Sequence, residues 1–253
     1  EMISIELTNA CSKGCWFCYN HSHPRGSTTW HTDEIIDFVR DLAFHGVRAV
    51  SFGGGEPLEH EGLFDALDDL HGVVYRSLTT NGLLLRGELL DRLIESRPNK
   101  VHISIHFPES QKEVTRVMEN LETLSLHGIN AGVNLVVRRT NVAAAQRAAN
   151  RLREAGLDNR HIVYLPMRGQ DTPTPADVHL VAGQTRFQSM SCLTQCGPTP
   201  RFATVAWDKT AAWCSYTAER TPLGELTHRG LISALNGLEV EYCGDDNLMQ
   251  LQA

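Results

Sequence analysis

Short apolar runs alternate with amphipathic stretches along the first two thirds of the chain. Alternating apolar residues at positions 3–7 predict a first strand, and apolar residues at helical spacing follow, with Thr32 as the predicted N-cap of a helix that ends near His45. The same rhythm continues: further strands are predicted at 49–52, 73–78, 101–107, 131–137 and 161–165, and helices at 62–70, 89–94, 111–126 and 142–155.

Six strands that alternate with helices of this length indicate an α/β protein with a parallel sheet and right-handed crossovers. The repeat is two units short of a full barrel, so the predicted fold is a partial (β/α)6 barrel of the TIM type. The pattern alone does not separate an open six-unit barrel from a flat doubly wound sheet. In either fold, ligands bind beyond the carboxyl ends of the strands, and the unusual loops of this chain follow strands.

The strand–helix rhythm stops after about Arg168. Residues 170–175 are rich in Pro and Thr and indicate a linker, and the apolar runs at 202–207 and 210–213 predict a hairpin. A short helix is predicted at 228–235. We therefore expect two domains, residues 1–168 and residues 169–253, the second a linker followed by a small cysteine-rich domain.

Composition narrows the possible functions. The 253 residues are 42% hydrophobic and 21% charged, with a net charge of −7, which is ordinary for a globular protein and favours neither long nucleic acids nor an acidic membrane surface as partners. No apolar stretch approaches the roughly 18 residues of a membrane-spanning helix. No secretory signal is visible either, so we expect a cytoplasmic location.

The seven cysteines are unevenly placed, with three at positions 11–18 and four from position 192 onward. An odd count, tight clustering and the absence of a secretory signal argue against a disulfide framework and favour metal or cluster ligation. Cys11, Cys15 and Cys18 have the spacing C-x3-C-x2-C directly after the first predicted strand. Three such thiolates ligate three irons of a [4Fe–4S] cubane and leave the fourth iron open. The alternatives are chance clustering and a zinc site with His21 or His23 as the fourth ligand.

Further residues support the cluster interpretation. Phe17 precedes the third cysteine, and Gly54-Gly55-Glu56-Pro57 lies in the loop that follows the second predicted strand. With these motifs in place, residues 1–167 resemble the radical S-adenosylmethionine (SAM) superfamily. Three more positions match the family by place alone: Ser104 and Asn134 as contacts of the SAM ribose and carboxylate, and Leu165 where the adenine packs.

The resemblance implies a [4Fe–4S] cluster and SAM as cofactors, and an electron donor such as flavodoxin or ferredoxin. In that family, the reduced cluster cleaves SAM to methionine and a 5′-deoxyadenosyl radical. The radical then abstracts a hydrogen atom from a C–H bond of a small-molecule or peptide substrate. Gly54 and Gly55 would let the backbone approach the methionine amino group, and Glu56 would either accept from that group or fix the loop.

The C-terminal cysteines are Cys192, Cys196, Cys214 and Cys243. The segment around the predicted hairpin resembles the auxiliary-cluster domain of SPASM and Twitch proteins, although those proteins carry a glycine where this chain has Lys209. Four cysteines rather than seven imply the shorter Twitch version with one auxiliary [4Fe–4S] cluster. The alternatives are a structural zinc ion and unpaired buried thiols.

If both clusters use all their thiols, no cysteine remains to donate a hydrogen atom to the substrate. We therefore expect a net oxidation, either a dehydrogenation or a peptide cross-link, in a modification or natural-product pathway. The alternatives are a redox-neutral epimerase with a cysteine hydrogen donor and a non-catalytic iron–sulfur or zinc protein. His102, His106 and Tyr164 are the candidate catalytic residues, because they lie on predicted strands and face the presumed cavity with Thr80 and Asn81. For the histidines, hydrogen bonding inside a polar barrel is the alternative role.

Overall fold

The computed structural model describes residues 1–189 and 197–240. Cys192, Cys196 and Cys243 lie outside the described residues. The chain divides into two compact units, one formed by Glu1–Val101 with Pro198–Val240 and one within His102–Gly197. The C-terminal hairpin belongs to the same compact unit as the first strand, and the expected domain boundary after Arg168 stays a prediction.

Strands and helices alternate through most of the chain. The strands are β1 (Met2–Thr8), β2 (Ala49–Gly54), β3 (Tyr75–Thr80), β4 (Lys100–Ile105), β5 (Ala131–Val137), β6 (Ile162–Pro166), β7 (Gln188–Ser189), β8 (Phe202–Val205), β9 (Thr210–Ala212) and β10 (Thr221–Pro222). The helices are α1 (Thr32–Phe44), α2 (Leu63–Asp69), α3 (Gly87–Ser96), α4 (Gln111–Leu126), α5 (Val142–Glu154), α6 (Pro175–Val181) and α7 (His228–Leu235).

The first unit is built on strands in the order β10-β9-β8-β1-β2-β3. β1 runs parallel to both β2 and β8, with Met2 opposite Ala49 on one side and Phe202 on the other. β8 and β9 form the predicted hairpin. The apolar residues of β1, Ile3, Ile5 and Leu7, are buried, as alternation requires when one face packs on the core. The hairpin therefore extends the sheet of the first unit beside β1.

The second unit contains the parallel strands β5, β6 and β7, with Val133 opposite Ile162 and Val163 opposite Gln188. Two alanines of α5, Ala145 and Ala149, are fully buried. Parallel strands joined by helices confirm the α/β class that the sequence predicts.

Two local expectations need correction. The helix predicted from Thr32 is capped one residue earlier, because the backbone N–H of His31 donates to the Glu34 carboxylate at 3.0 Å. The Pro/Thr-rich stretch leads into a helix, α6, that the sequence interpretation did not include. Thr174 caps that helix by accepting from the backbone N–H of Asp177, and Pro175 occupies its first turn. Across the described ranges, no helix combines the length and apolar character that crossing a bilayer requires.

Candidate cluster and cofactor site

The three N-terminal cysteines lie on one loop that leaves the carboxyl end of β1. Cys11 is buried, and Cys15 and Cys18 are half-buried. The backbone N–H of Cys11 donates to the His23 carbonyl at 3.1 Å, and that of His23 donates to the Asn9 carbonyl at 3.0 Å. The end of the loop is therefore hydrogen-bonded to its beginning, and this holds Cys11 close to the carboxyl end of β1.

The Cys11 sulfur is surrounded by N–H donors. The Asn81 side-chain nitrogen lies 3.6 Å from it, and the backbone amides of Lys13 and Gly14 also donate to it. Burial raises the pKa of the thiol, the two backbone bonds oppose that rise, and the charges of Glu56 and Glu59 add to it. Hydrogen bonds to sulfur are characteristic of cluster-ligating thiolates, so this donor set fits an iron–sulfur cluster. In residues 1–189 and 197–240, no three His, Cys, Asp or Glu side chains lie close enough to hold a metal ion in common.

The glycines at the end of β2 allow the backbone after β2 to approach the backbone at the end of β1 closely. The Gly55 N–H donates to the Thr8 carbonyl at 2.6 Å, and the Glu56 N–H donates to the Ala10 carbonyl at 2.8 Å. A Cβ on Gly55 would lie 2.1 Å from the Ala10 oxygen. Gly54 adopts a φ of +103°, which favours glycine. The Gly54-Gly55 pair thus anchors the cysteine loop, and its predicted contact with SAM remains a prediction.

Glu56 is fully buried beneath this loop. Its carboxylate accepts from the Thr80 hydroxyl at 2.7 Å, from the Asn81 backbone N–H at 2.8 Å and from the Leu58 backbone N–H at 3.2 Å. Burial raises the pKa of this carboxyl, and the hydrogen bonds oppose the rise. Of the two roles expected from the sequence, these contacts support the fixing of the loop after β3.

Phe17 is half-buried, and its ring meets the exposed Trp16 ring edge-on at 5.1 Å. The predicted role of Phe17 toward SAM stays a prediction.

Cys214 directly follows the β8–β9 hairpin. Its thiol is free and half-buried, and its sulfur accepts from the backbone N–H of Tyr216 at 3.5 Å. The Tyr216 ring lies 4.8 Å, centroid to centroid, from the ring of Tyr19, the residue after Cys18. The first cysteine loop and the segment of Cys214 are therefore in contact through these two rings.

Sequence reasoning missed Glu6, a fully buried carboxyl on β1. It accepts from the Thr204 hydroxyl at 3.3 Å, and Arg220 lies 3.6 Å from the same oxygen. The other oxygen, Oε2, has no hydrogen-bond partner among the described residues. The signal that could have identified it is a charged residue inside the otherwise apolar stretch 3–7.

The second unit contains four of the residues predicted to contact SAM or substrate. Ser104 and Asn134 are buried on β4 and β5. A Cβ on Gly132 would lie 2.7 Å from the His102 ring, so His102 packs against the β5 face that also carries Asn134. Asn134 and Val136 pair with Val163 and Leu165 of β6, which places Leu165 on the same face.

Tyr164 lies on the opposite face of β6. Its hydroxyl donates to the Asn159 side chain at 2.6 Å and accepts from Arg153 of α5 at 3.0 Å. Burial raises its pKa, and the Arg153 charge opposes the rise. These contacts favour a structural role for Tyr164. His106 is half-buried, and its backbone N–H donates to Glu113 at 2.6 Å.

The comparisons with known proteins define the class. The Radical SAM superfamily profile matches residues 5–178, well over half of the chain, and the chain belongs to this superfamily. The family uses a [4Fe–4S] cluster and SAM, in agreement with the expectation from the cysteine and glycine motifs.

Curated relatives match between about half and two thirds of the chain. A probable GTP 3′,8-cyclase of Sulfolobus acidocaldarius is 31% identical over 176 residues, which cover 65% of this chain and 56% of the relative. A GTP 3′,8-cyclase of Clostridium perfringens is 28% identical over 151 residues, covering 54% of this chain and 46% of the relative. The chain thus spans about half the length of the curated relatives it matches.

Solved structures share the fold. The Streptococcus suis protein SuiB bound to S-adenosylmethionine has a TM-score of 0.71 at 13% identity, covering 94% of this chain and 66% of that protein. Native anSMEcpe with bound AdoMet has a TM-score of 0.66 at 16% identity, covering 92% of this chain and 80% of that protein. These matches confirm the partial-barrel α/β fold predicted from the strand–helix pattern.

Proposed function

We propose that this chain is a radical SAM oxidoreductase that acts on a small-molecule or peptide substrate and uses a second [4Fe–4S] cluster. Cys11, Cys15 and Cys18 would hold the SAM cluster. The second cluster would be held by the C-terminal thiols, which are Cys192, Cys196, Cys214 and Cys243. The observation that carries the proposal is the contact between Tyr19 and Tyr216, because it brings the segment after Cys214 to the loop of the first three cysteines.

The bound cofactors would supply a 5′-deoxyadenosyl radical, which takes one hydrogen atom from a substrate C–H bond. The substrate would then lose a proton to a base and one electron to the second cluster. The overall balance is a two-electron oxidation of the substrate, matched by reduction of SAM to methionine and 5′-deoxyadenosine. The chain's own task is to orient the target carbon and exclude water, with His102 and His106 as candidate bases.

The remaining predicted site residues have roles toward SAM in this proposal. Gly54, Gly55 and Glu56 would shape the edge that receives the methionine portion, and Phe17 would shield the cluster. Ser104 and Asn134 would contact the ribose and carboxylate, and Leu165 would pack on the adenine. The shared face of Asn134 and Leu165 and the burial of Ser104 support this assignment.

Iron content after anaerobic reconstitution tests the proposal. The wild type should hold about eight irons, and both a Cys11/Cys15/Cys18→Ala variant and a Cys214→Ala variant should lose up to half of them. Product analysis should then find a substrate product two hydrogens lighter. About four irons in the wild type, falling to none in the triple variant, would contradict the second cluster.

A redox-neutral rearrangement of a nucleotide is the second candidate, because the curated relatives that match in sequence carry the name GTP 3′,8-cyclase. GTP, SAM and a chemical reductant would be incubated with the reconstituted chain. Formation of 5′-deoxyadenosine that depends on GTP, together with a product of the same mass as GTP, would favour this candidate over the oxidation. No effect of GTP on 5′-deoxyadenosine formation would remove it.

A further inference from the structure

The geometry points to Asn81 as a positioning residue for the first cluster: its side-chain amide donates a hydrogen bond to the Cys11 sulfur and thereby raises the reduction potential of the cluster that Cys11 ligates. The inference rests on the proposed role of Cys11 as a cluster ligand. It does not depend on the second cluster or on the identity of the substrate.

The orientation of the Asn81 amide is fixed by its neighbours. Its side-chain oxygen accepts from the backbone N–H of Leu83 at 2.8 Å, and its backbone N–H donates to Glu56 at 2.8 Å. Because the oxygen is engaged by Leu83, the NH2 end of the amide is the end that meets the Cys11 sulfur, 3.6 Å away. The hydrogen-bond network therefore assigns this amide as a donor to the thiol.

Buried hydrogen bonds from Glu56 and Thr80 hold the loop that carries Asn81. Glu56 and Thr80 are both almost fully buried, and the Thr80 hydroxyl donates to the Glu56 carboxylate at 2.7 Å. The same hydroxyl accepts from the Gly82 backbone N–H at 3.1 Å. A buried network of this kind strengthens its hydrogen bonds and resists reorientation. The Glu56 anchor thus places a donor against a cluster ligand.

The direction of the N–H dipole determines how Asn81 changes the reduction potential of the cluster. Reduction adds negative charge to the cluster, and part of that charge spreads onto the ligating sulfurs. A donor aimed at the sulfur stabilises the reduced state more than the oxidised state, which raises the reduction potential. The backbone amides of Lys13 and Gly14 act in the same sense, but no side-chain substitution removes them. The Asn81 hydrogen bond, in contrast, comes from a side chain, so a substitution at this position can remove it.

Redox titration followed by EPR tests the inference on the full, reconstituted chain. The signal that changes when SAM is added is assigned to the first cluster. Asn81→Ala and Asn81→Asp should both lower its midpoint potential, with a shift of roughly ten-fold in the reduction equilibrium, or about 59 mV for one electron. The control is Asn99→Ala, because the Asn99 side chain also accepts a backbone N–H, from Arg76 at the other end of β3. Unchanged potentials in both Asn81 variants, with full iron, would overturn the inference.

Two further measurements keep the test decisive. A Cys11→Ala variant that keeps all its iron and its SAM-dependent signal would show that Cys11 is not a ligand, which also overturns the inference. If the Asn81 variants fail to take up iron, wild type labelled with 15N in the asparagine side-chain amides provides the answer. Pulsed EPR should detect a weak 15N coupling to the reduced first cluster, and its absence would refute the hydrogen bond.

Discussion

The Lys209 ammonium lies 2.8 Å from both carboxylate oxygens of Glu34, so the tip of the β8–β9 hairpin is tied to the first turn of α1. The same ammonium lies 5.4 Å from the centre of the Trp30 ring. The Lys209 backbone adopts the left-handed conformation, with a φ of +63°. The side-chain contacts offset the conformational cost of a non-glycine residue there.

Substitutions at Lys209 should separate these two effects. Lys209→Ala keeps the strained backbone and loses the ion pair, so we expect a loss of about 1 kcal/mol in the free energy of unfolding. Lys209→Gly loses the same contacts but relieves the strain, and should fall within about 0.5 kcal/mol of the wild type. Urea denaturation measures both. Equal losses in the two variants would show that the backbone at this position is not strained.

The same pair should make stability depend on pH. Partial burial raises the pKa of Glu34, but the hydrogen bonds from Lys209 and His31 outweigh it and leave the pKa below its ordinary value of 4.5. A carboxyl with a depressed pKa stabilises the fold above its unfolded-state pKa and loses that effect as the pH falls through the folded-state value. The stability difference between wild type and Lys209→Ala should therefore shrink below about pH 4.5. A difference that stays constant between pH 7 and pH 3.5 would contradict this account.

The close approach at Gly55 predicts a sharp contrast between neighbouring glycines. Gly55→Ala would place a Cβ 2.1 Å from the Ala10 carbonyl oxygen, whereas a Cβ on Gly53 meets nothing within 4 Å. Because Ala10 precedes the first cysteine, we expect Gly55→Ala to cost about 3 kcal/mol and to lower iron uptake by the first cluster. Gly53→Ala is the matched control and should keep both stability and iron. Thermal unfolding and iron analysis check the pair, and normal iron in Gly55→Ala would be the contrary result.

Glu6 should make the fold less stable at high pH. Burial raises the pKa of this carboxyl, and Arg220 opposes the rise without cancelling it. Below its unfolded-state pKa of 4.5, Glu6 is neutral in both states; as the pH rises, the unfolded chain ionises first and the fold loses stability up to the folded-state pKa. The stability of Glu6→Gln relative to wild type should therefore increase from pH 4.5 to pH 8 in urea denaturation. Glu61→Gln, at an exposed position, is the control, and a flat difference for Glu6→Gln would disprove the assignment.

The strand–helix periodicity predicted most of the fold. The alternating residues of β1 and the helical spacing of α1 and α4 report burial directly, so their elements were found to within a residue or two. α6 was missed because its seven residues are too few to show a clear helical periodicity of apolar residues. The Thr174–Asp177 capping box was its only signal in the sequence.

The sequence predicted the motif residues of the candidate site but not the contacts between them. Motif residues such as Cys11, Gly55 and Glu56 are recognisable because their chemistry and order along the chain are unusual. The contact between Asn81 and Cys11 joins positions 70 residues apart, and the contact between Tyr19 and Tyr216 depends on where the hairpin pairs. No local pattern contains this information, since register between distant strands sets it.

The buried guanidinium of Arg76 donates hydrogen bonds to three carbonyls at helix ends. Its side chain is almost fully buried and donates to the carbonyls of Leu67 at 2.5 Å, Ser96 at 3.1 Å and Arg97 at 2.8 Å. Carbonyls at helix ends lack partners within their own helix, so the guanidinium satisfies groups that would otherwise be buried and unpaired. Burial lowers the pKa of Arg76, with the Asp68 charge opposing that change.

A lysine at this position should not replace the arginine. The ammonium of Arg76→Lys cannot present the planar fork that reaches carbonyls on two sides, so at least one of them loses its donor. We expect a loss of about 2–4 kcal/mol in the free energy of unfolding, measured by urea denaturation. Arg40→Lys is the matched control, because Arg40 makes a half-exposed ion pair with Asp69 and should change stability by less than about 0.5 kcal/mol. If both variants behaved alike, Arg76 would contribute no more than a surface charge, and the helix-end carbonyls would have to be satisfied by water.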